Sequence, residues 1–205
     1  MKKTILLIDA GYLHPILREE GIFYDANMIA QIAKDCCVAD EELHKILYYD
    51  CDSFDPIDKK TGKPFFYLLK HKNGAKLVKK DNKLIAELQQ KDLFAIRLGV
   101  LKFEGWTNTD KTGKPKFRQK GVDMRIGLDM AHLAHQGKID RIILITADTD
   151  FIPAMKYVRK ANIQVVIAKL GGRHLTPDLT MHTDFIRPIE LTKYQKKTIN
   201  YAIND

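Results

Sequence analysis

Two short apolar runs in the sequence are followed within a few residues by aspartate. Asp9 follows the run ILLI, while Asp148 and Asp150 follow the run IILIT with one residue between them. A third segment contributes Asp123, at the expected first turn of a helix. Functional groups of a parallel sheet collect beyond the carboxyl ends of its strands. The spacing therefore predicts that four carboxylates from three separate segments meet at one edge of a sheet.

Carboxylates that meet in this way repel one another unless a cation lies between them. Ligation by oxygen alone suits magnesium or manganese and not zinc. Such an ion can polarise a phosphoryl oxygen and lower the pKa of an attacking water. The pattern thus favours metal-dependent hydrolysis of a phosphate ester. In the alternative interpretation each acid serves a local helix end, with Asp150 as an N-cap and Asp123 as a partner of the helix dipole.

Asp129 is a further acid on the same predicted helix, and it ranks below the other four. It follows Arg125 by four residues, the spacing of an exposed helical ion pair. At 3.6 residues per turn, it also points roughly 120° away from Asp123.

Other polar residues adjoin the acids in the sequence and are candidates to contact a substrate. These are Tyr12, His14, Lys120 and Thr146. Ordinary roles compete with this interpretation, since Tyr12 would normally pack and His14, before a proline, would normally be a surface residue. The Thr146 hydroxyl can have a purely structural role at the end of its strand, and Lys120 can be an ordinary solvated lysine of a basic loop.

A lysine-rich motif occurs twice, as DKKTGKPFF from Asp58 and as DKTGKPKFR from Asp110. Gly and Pro beside lysines predict exposed turns. The lysines in and around these segments are interleaved with the aromatic residues Phe65, Phe66, Tyr67, Phe103, Trp106 and Phe117. These segments could therefore follow a phosphodiester backbone and stack on unpaired bases. A solvated charged face over a few core aromatics is the alternative. The candidate contacts from the second motif are Lys114, Lys116 and Arg118.

Composition limits the class of protein. The 205 residues, 45% of them hydrophobic, suit one α/β domain spanning 1–205. A net charge of +8 favours polyanionic partners. Three cysteines without zinc spacing favour reduced thiols, and no apolar run is long enough for a bilayer. We therefore expect a cytoplasmic protein with no membrane partner.

Apolar, β-branched runs alternate with helical periodicity, which predicts a mainly parallel sheet flanked by helices. The predicted strands are Thr4–Ile8, His44–Tyr49, Phe94–Leu101, Ile142–Ile145, Gln164–Ala168 and Phe185–Ile189. The predicted helices are Ala26–Cys37, Asn82–Gln90, Gly121–His135, Ile152–Lys160 and a C-terminal helix around 190–203.

Four stretches together resemble the NYN domain in its LabA-like branch. They are ILLIDAGYL, KGVDMRIGLDMAHLA, ILITADTDFIPAMKYVRKANIQVVIA and LTPDLTMHTDFIRPI. TADTDF is similar to the family signature Ser-Gly-Asp-Ser-Asp-Phe. The likeness extends to about Ile189 and is weak in the basic middle segment around 52–118.

The resemblance implies a PIN-like, Rossmann-like three-layer fold and a metal-dependent ribonuclease acting on single-stranded RNA. It implies a site made by Asp9, Asp123, Asp148 and Asp150, with Asp129 as a further acid, and it allows a homodimer. One departure concerns Tyr12, because the family typically has Asn at this position. An NYN fold that binds RNA in a regulatory role with weak or no turnover is therefore the alternative. A phosphatase of the haloacid dehalogenase type is disfavoured, since Gly11 occupies the position of its second Asp.

Overall fold

A seven-stranded sheet forms the centre of the computed structural model, which describes residues 1–55, 57, 62, 82–106 and 115–195. The strands in these ranges are β1 Lys2–Asp9, β2 Glu41–Cys51, β3 Phe94–Trp106, β4 Pro115–Lys120, β5 Arg141–Ile145, β6 Gln164–Leu170 and β7 Phe185–Ile189. Their order across the sheet is β4-β3-β2-β1-β5-β6-β7. Neighbouring strands run parallel except β3 and β4, which are antiparallel.

Helices cover both faces of this sheet. Those in the described ranges are α1 Ala10–Glu19, α2 Ala26–Asp35, α3 Lys83–Leu88, α4 Val122–Gln136, α5 Ile152–Lys160 and α6 Pro177–Met181. The first three pack on one face and the last three on the other. The predicted three-layer α/β fold with a mainly parallel sheet is thus confirmed. No helix in the part of the chain that the structure describes is long and apolar enough to span a membrane.

The central strand β1 explains why its sequence is a continuous apolar run. Leu6 and Ile8 pack under α1 and α2, whereas Ile5 and Leu7 pack under α4 and α5. A strand covered on both faces needs apolar residues at every position, because successive side chains point to opposite faces. The first residue free of this constraint is Asp9, where the strand ends.

The six predicted strands and four of the predicted helices are present. Two helices, α1 and α6, were not predicted. Helix α1 begins directly after Asp9 and contains Pro15, a residue that normally argues against a helix interior. The predicted C-terminal helix lies mainly outside the described residues. At its start, the chain makes only a 3-10 turn, Thr192–Tyr194, after which Gln195 is extended. An α-helix therefore does not begin there.

The exposed turn predicted for the second lysine-rich motif lies mainly outside the described residues. Its residues up to Lys114 lie outside the described ranges, as does most of the first motif, but Pro115 begins strand β4. The hairpin made by β3 and β4 approaches α4 closely at Gly99. A Cβ there would stand 2.7 Å from the Lys120 carbonyl oxygen and 2.7 Å from Val122 Cγ2, so a larger residue would force the two elements apart.

Candidate active site at the carboxyl edge of the sheet

The neighbouring central strands β1 and β5 lead to helices on opposite faces of the sheet. β1 continues into α1 on one face, and β5 continues through a 3-10 turn, Thr149–Phe151, into α5 on the other. Open parallel sheets bind ligands in the crevice that forms where successive connections diverge in this way. The predicted acids lie around this crevice.

Asp9 is both the last residue of β1 and the N-cap of α1. Ile8 pairs with Ile145 of β5, so the next residues, Asp9 and Thr146, emerge side by side. The Thr146 hydroxyl donates a 3.4 Å hydrogen bond to Asp9 Oδ2, and the Gly11 N–H donates a 2.9 Å bond to Oδ1. Both carboxylate oxygens are thereby held in a fixed orientation.

The environment of Asp9 disfavours its charged form. Burial raises the pKa of its half-buried carboxyl from 3.8 to about 6, although the hydrogen bond from the Gly11 N–H opposes this shift. The charge of Asp123 raises the pKa further. Two acids that are distant in the sequence therefore share one electrostatic environment.

Asp148 and Asp150 form a local unit after β5. The Asp150 N–H donates a 2.8 Å hydrogen bond to Asp148 Oδ1, and the Asp148 N–H donates a 3.3 Å bond to the Thr146 hydroxyl. Asp148 is thus the N-cap of the 3-10 turn, a role that the sequence had suggested for Asp150. Phe151 is buried and anchors the turn, while Asp150 remains exposed.

Asp123 approaches the same crevice from α4. Gly121, with φ +80°, makes the sharp turn from β4 into the helix, and buried Val122 fixes the first helical turn against the sheet. Burial raises the pKa of the Asp123 carboxyl, and the charges of Asp148 and Asp150 raise it further. The tertiary structure therefore couples Asp123 electrostatically to each of the other three predicted acids.

The donor set of this site is carboxylate oxygen, the type that magnesium and manganese prefer. Within the described residues, however, no three or more His, Cys, Asp or Glu side chains stand close enough to hold one ion together. Magnesium usually keeps several waters and binds through one or two carboxylates. The residues therefore fit a hydrated divalent cation by the chemistry of their donors, although the described residues do not place three of them at the spacing of one ion.

Residues 3–191 match the family model of the NYN domain. The chain belongs to the NYN domain family. NYN domains are generally hydrolytic nucleases, which supports a hydrolase with a nucleic-acid substrate. The PIN-like superfamily suggested by the sequence fits this family.

A solved structure supports the fold of this NYN domain. It is the crystal structure of a protein of unknown function from Vibrio parahaemolyticus, which shares 18% sequence identity with the chain. The alignment covers 92% of this chain and 93% of that one, with a TM-score of 0.56. At this identity the likeness concerns the fold alone. No curated protein matches the chain.

Asp129 of the NYN domain has partners other than the expected Arg125. Its Oδ2 accepts a 2.8 Å hydrogen bond from the Tyr49 hydroxyl and lies 3.1 Å from Arg97 Nε. These contacts attach the middle of α4 to β2 and β3. We therefore leave Asp129 out of the proposed metal ligands.

Two residues of α1 that were candidates for lining the cleft differ in their surroundings. The Tyr12 hydroxyl is buried without a hydrogen-bond partner among the described residues, and burial raises its pKa, with Asp9 adding to the shift and Arg173 opposing it. His14 is half-buried, in contrast to the expected surface position. Its ring stacks on Tyr24 at 4.7 Å.

The basic residues of β4 share one face of the β3–β4 hairpin. Lys116 and Arg118 are exposed and form ion pairs of 3.6 Å and 3.9 Å with Glu104. Lys120 is exposed at the end of the strand, and the two-residue alternation of a strand directs it to this same face. Lys114 lies outside the described residues.

The aromatic residues of this hairpin pack together on its other face. The Phe117 ring lies 5.0 Å from that of Phe54 and 5.8 Å from that of Phe103. All three rings are half-buried, so they form a small core under the charged face. This arrangement is the alternative that the sequence left open, and the other predicted stacking residues, Phe65, Phe66 and Tyr67, lie outside the described ranges.

Sequence reasoning missed Gln119, which follows Phe117 on the inner face of β4. A Cβ added to Gly11 would lie 3.2 Å from Gln119 Oε1 and 3.1 Å from Asp9 Oδ1. The carboxamide and the Asp9 carboxylate therefore border the same small space above Gly11. In the stretch KFRQK, basic residues alternate with Phe117 and Gln119. This alternation places Gln119 on the same face as Phe117, but only once the stretch is known to be a strand.

Proposed function

We propose that this NYN domain is a ribonuclease that hydrolyses phosphodiester bonds of single-stranded RNA with magnesium or manganese. The observation that carries the proposal is the electrostatic coupling of four carboxylates at the crevice between β1 and β5. These belong to Asp9, Asp123, Asp148 and Asp150. Membership of a family of hydrolytic nucleases supports the reaction type, and a cytoplasmic location belongs to the same proposal.

The residues of the crevice have distinct tasks in this proposal. A bound divalent cation would stabilise negative charge on the phosphoryl oxygens. Asp9 would hold the cation from β1, with its carboxylate oriented by the hydrogen bonds from Thr146 and Gly11. Asp123 would hold it from α4, and the acids of the 3-10 turn would do so from β5. Because these elements are fixed by buried packing, the backbone positions of the four acids are set before substrate arrives.

Substrate affinity would come from the basic surface. Phosphate contacts from Lys and Arg attract nucleic acid without regard to sequence and weaken as salt rises. Lys116, Arg118 and Lys120 are exposed on the hairpin that leads directly into α4. Since the aromatic rings beneath them pack together, we assign the hairpin an electrostatic role and not a base-stacking one.

A second candidate function is RNA binding without turnover. It is favoured by the absence, within the described ranges, of three potential ligands at the spacing of one ion. Salt-sensitive RNA binding with no cleavage at any concentration of magnesium or manganese would select this function.

The decisive experiment incubates the purified protein with manganese and a labelled single-stranded RNA. We expect cleavage that EDTA stops and that Asp148→Asn abolishes. Asn retains the capping oxygen, so the variant keeps its fold, which circular dichroism checks. Matched duplex RNA and single-stranded DNA define the substrate class.

Asp178→Asn is the matched control, because Asp178 is an exposed acid in the first turn of α6. We expect this variant to cleave like the unmodified protein. Cleavage that persists in Asp148→Asn, or that disappears equally in Asp178→Asn, would contradict the proposed site.

A further inference from the structure

We propose that Gln119 binds a phosphate group of the substrate beside Asp9 through its carboxamide N–H groups. The inference rests on the proposed function and adds a substrate-contacting residue to the same site. No acid-based pattern in the sequence points to this residue. Its position beside Asp9 follows from the pairing of β4 with β3, and the lack of a side chain at Gly11 leaves space for its carboxamide there.

The backbone of Gln119 is held firmly although its side chain is exposed. Gln119 pairs with Leu101 across the hairpin, and the preceding inward residue, Phe117, packs on Phe54 and Phe103. Among the described residues, the Gln119 side chain makes no hydrogen bond or ion pair that would occupy its amide. With respect to the described residues, its two N–H donors are therefore available to a ligand.

Such a donor suits the chemistry of the site. A phosphate that approaches four carboxylates meets negative charge, and neutral N–H groups bind it without removing the charge needed for a cation. The carboxamide provides two donors and one acceptor, and half a turn about its last bond exchanges the nitrogen and oxygen. Strand alternation directs Lys116, Arg118 and Lys120 to the opposite face, so Gln119 is the β4 residue that reaches the Asp9 side.

Gly11 provides the space that the carboxamide uses. A Cβ at this position would approach both Gln119 Oε1 and Asp9 Oδ1 at just over 3 Å, which is tighter than most contacts of real Cβ atoms. Asp9 is fixed as the cap of α1, whereas the Gln119 side chain is flexible, so Gln119 would move. Alanine is the residue most favourable to an α-helix. Gly11→Ala therefore displaces the carboxamide without weakening α1.

The test is a double-mutant cycle measured as kcat and KM on single-stranded RNA. We expect Gln119→Ala to lower kcat/KM by about tenfold to a hundredfold, mainly through KM, since a hydrogen bond to a charged group is lost. Gln119→Glu should be lower still, because a fifth carboxylate repels phosphate. Gly11→Ala should lower kcat/KM in the unmodified protein and have little further effect when Gln119→Ala is already present. Gln89→Ala, at an exposed glutamine that ends α3, should have no effect.

Fluorescence anisotropy of RNA bound to Asp148→Asn protein separates this inference from the proposed function. If the unmodified protein does not cleave but Gln119→Ala weakens RNA binding, the phosphate contact stands and the ribonuclease assignment falls. If cleavage depends on Asp148 while both Gln119 variants keep normal KM and RNA affinity, the phosphate contact is wrong. Equal, additive effects of Gly11→Ala in both backgrounds would also overturn it, because the glycine would then act independently of Gln119.

Discussion

The hydroxyl of Tyr49 donates a 2.8 Å hydrogen bond to the carboxylate of Asp129. Tyr49 is completely buried on β2, and the contact ties this strand to the middle of α4. The helix that Asp129 holds in this way carries Asp123 six residues earlier. The Asp129 carboxylate of α4 therefore makes structural contacts inside the protein, whereas the Asp123 carboxylate of the same helix is available at the crevice.

We expect Asp129→Ala to lower stability without removing catalysis. The substitution leaves a buried hydroxyl without its acceptor, which costs about 1–3 kcal/mol of unfolding free energy. Urea denaturation measures this loss, and cleavage at saturating manganese should remain within about twofold of the unmodified protein. Asp123→Asn is the matched comparison, with the opposite expectation of lost cleavage and little lost stability. If Asp129→Ala loses cleavage while its stability is unchanged, Asp129 acts as a metal ligand and the structural role is wrong.

Asp9→Asn should stabilise the metal-free protein at neutral pH. The raised pKa of about 6 means that the folded protein binds the proton more tightly than the unfolded chain does, so stability falls as pH rises from 3.8 through 6. Asn removes this penalty and can still cap α1. We expect a gain of about 1–2 kcal/mol at pH 7.5 that shrinks towards zero near pH 4.

Thermal unfolding in EDTA at these two pH values measures the effect of Asp9→Asn. Manganese should then stabilise the unmodified protein more than the variant, because the cation relieves repulsion that the variant lacks. If the variant is less stable than the unmodified protein at pH 7.5, the surroundings of Asp9 do not destabilise its charged form.

His14 should make the protein less stable in mild acid. Its Nε2 lies 2.6 Å from the Tyr48 hydroxyl, and burial, assisted by the charge of Arg18, lowers the pKa of the imidazole from 6.5 to about 4. The unfolded chain therefore binds more protons than the folded protein between pH 6.5 and 4, and stability is lost as pH falls through this window. The full contribution is about 2–3 kcal/mol.

The His14→Gln variant should lose this part of the pH dependence. Urea denaturation at pH 7.5 and pH 4.5 gives the comparison, with His44→Gln, an exposed histidine of β2, as the control. Equal slopes for His14→Gln and the unmodified protein would show that the imidazole titrates normally.

Glu41→Gln should strongly destabilise the amino edge of the sheet, opposite the site. The Glu41 carboxylate is buried and accepts hydrogen bonds from Arg141 and from Arg187, the latter at 2.9 Å and 3.0 Å. Removing one charge leaves two guanidinium groups without their counter-ion, and breaking a buried pair costs about 3–5 kcal/mol. Urea denaturation measures the loss, and the exposed neighbour Glu42→Gln should be close to neutral. A loss below about 1 kcal/mol would show that water solvates this network.

The sequence by itself determined the framework of this protein and the position of its acids along the chain. β1 and β5 are buried on both faces, so their sequences are uninterrupted apolar runs, and the first polar residue after each run marks the edge of the sheet. Asp9 follows directly from this rule, and Asp148 lies two residues beyond Thr146, the first polar residue after β5. Local periodicity likewise predicted α2, α4 and α5, because each buries one face of its own residues.

Tertiary structure decided which residues meet. The pairing of Asp129 with Tyr49 depends on how α4 crosses β2, and no residue close to Asp129 in the sequence indicates that contact. Gln119 lies beside Asp9 because the stretch after Pro115 pairs with β3 as an antiparallel strand, whereas the sequence Gly113-Lys114-Pro115 that leads into it locally favours a turn. Local propensity and burial can be read along the chain. Contacts between distant segments depend instead on strand order and register, which only the complete sheet fixes.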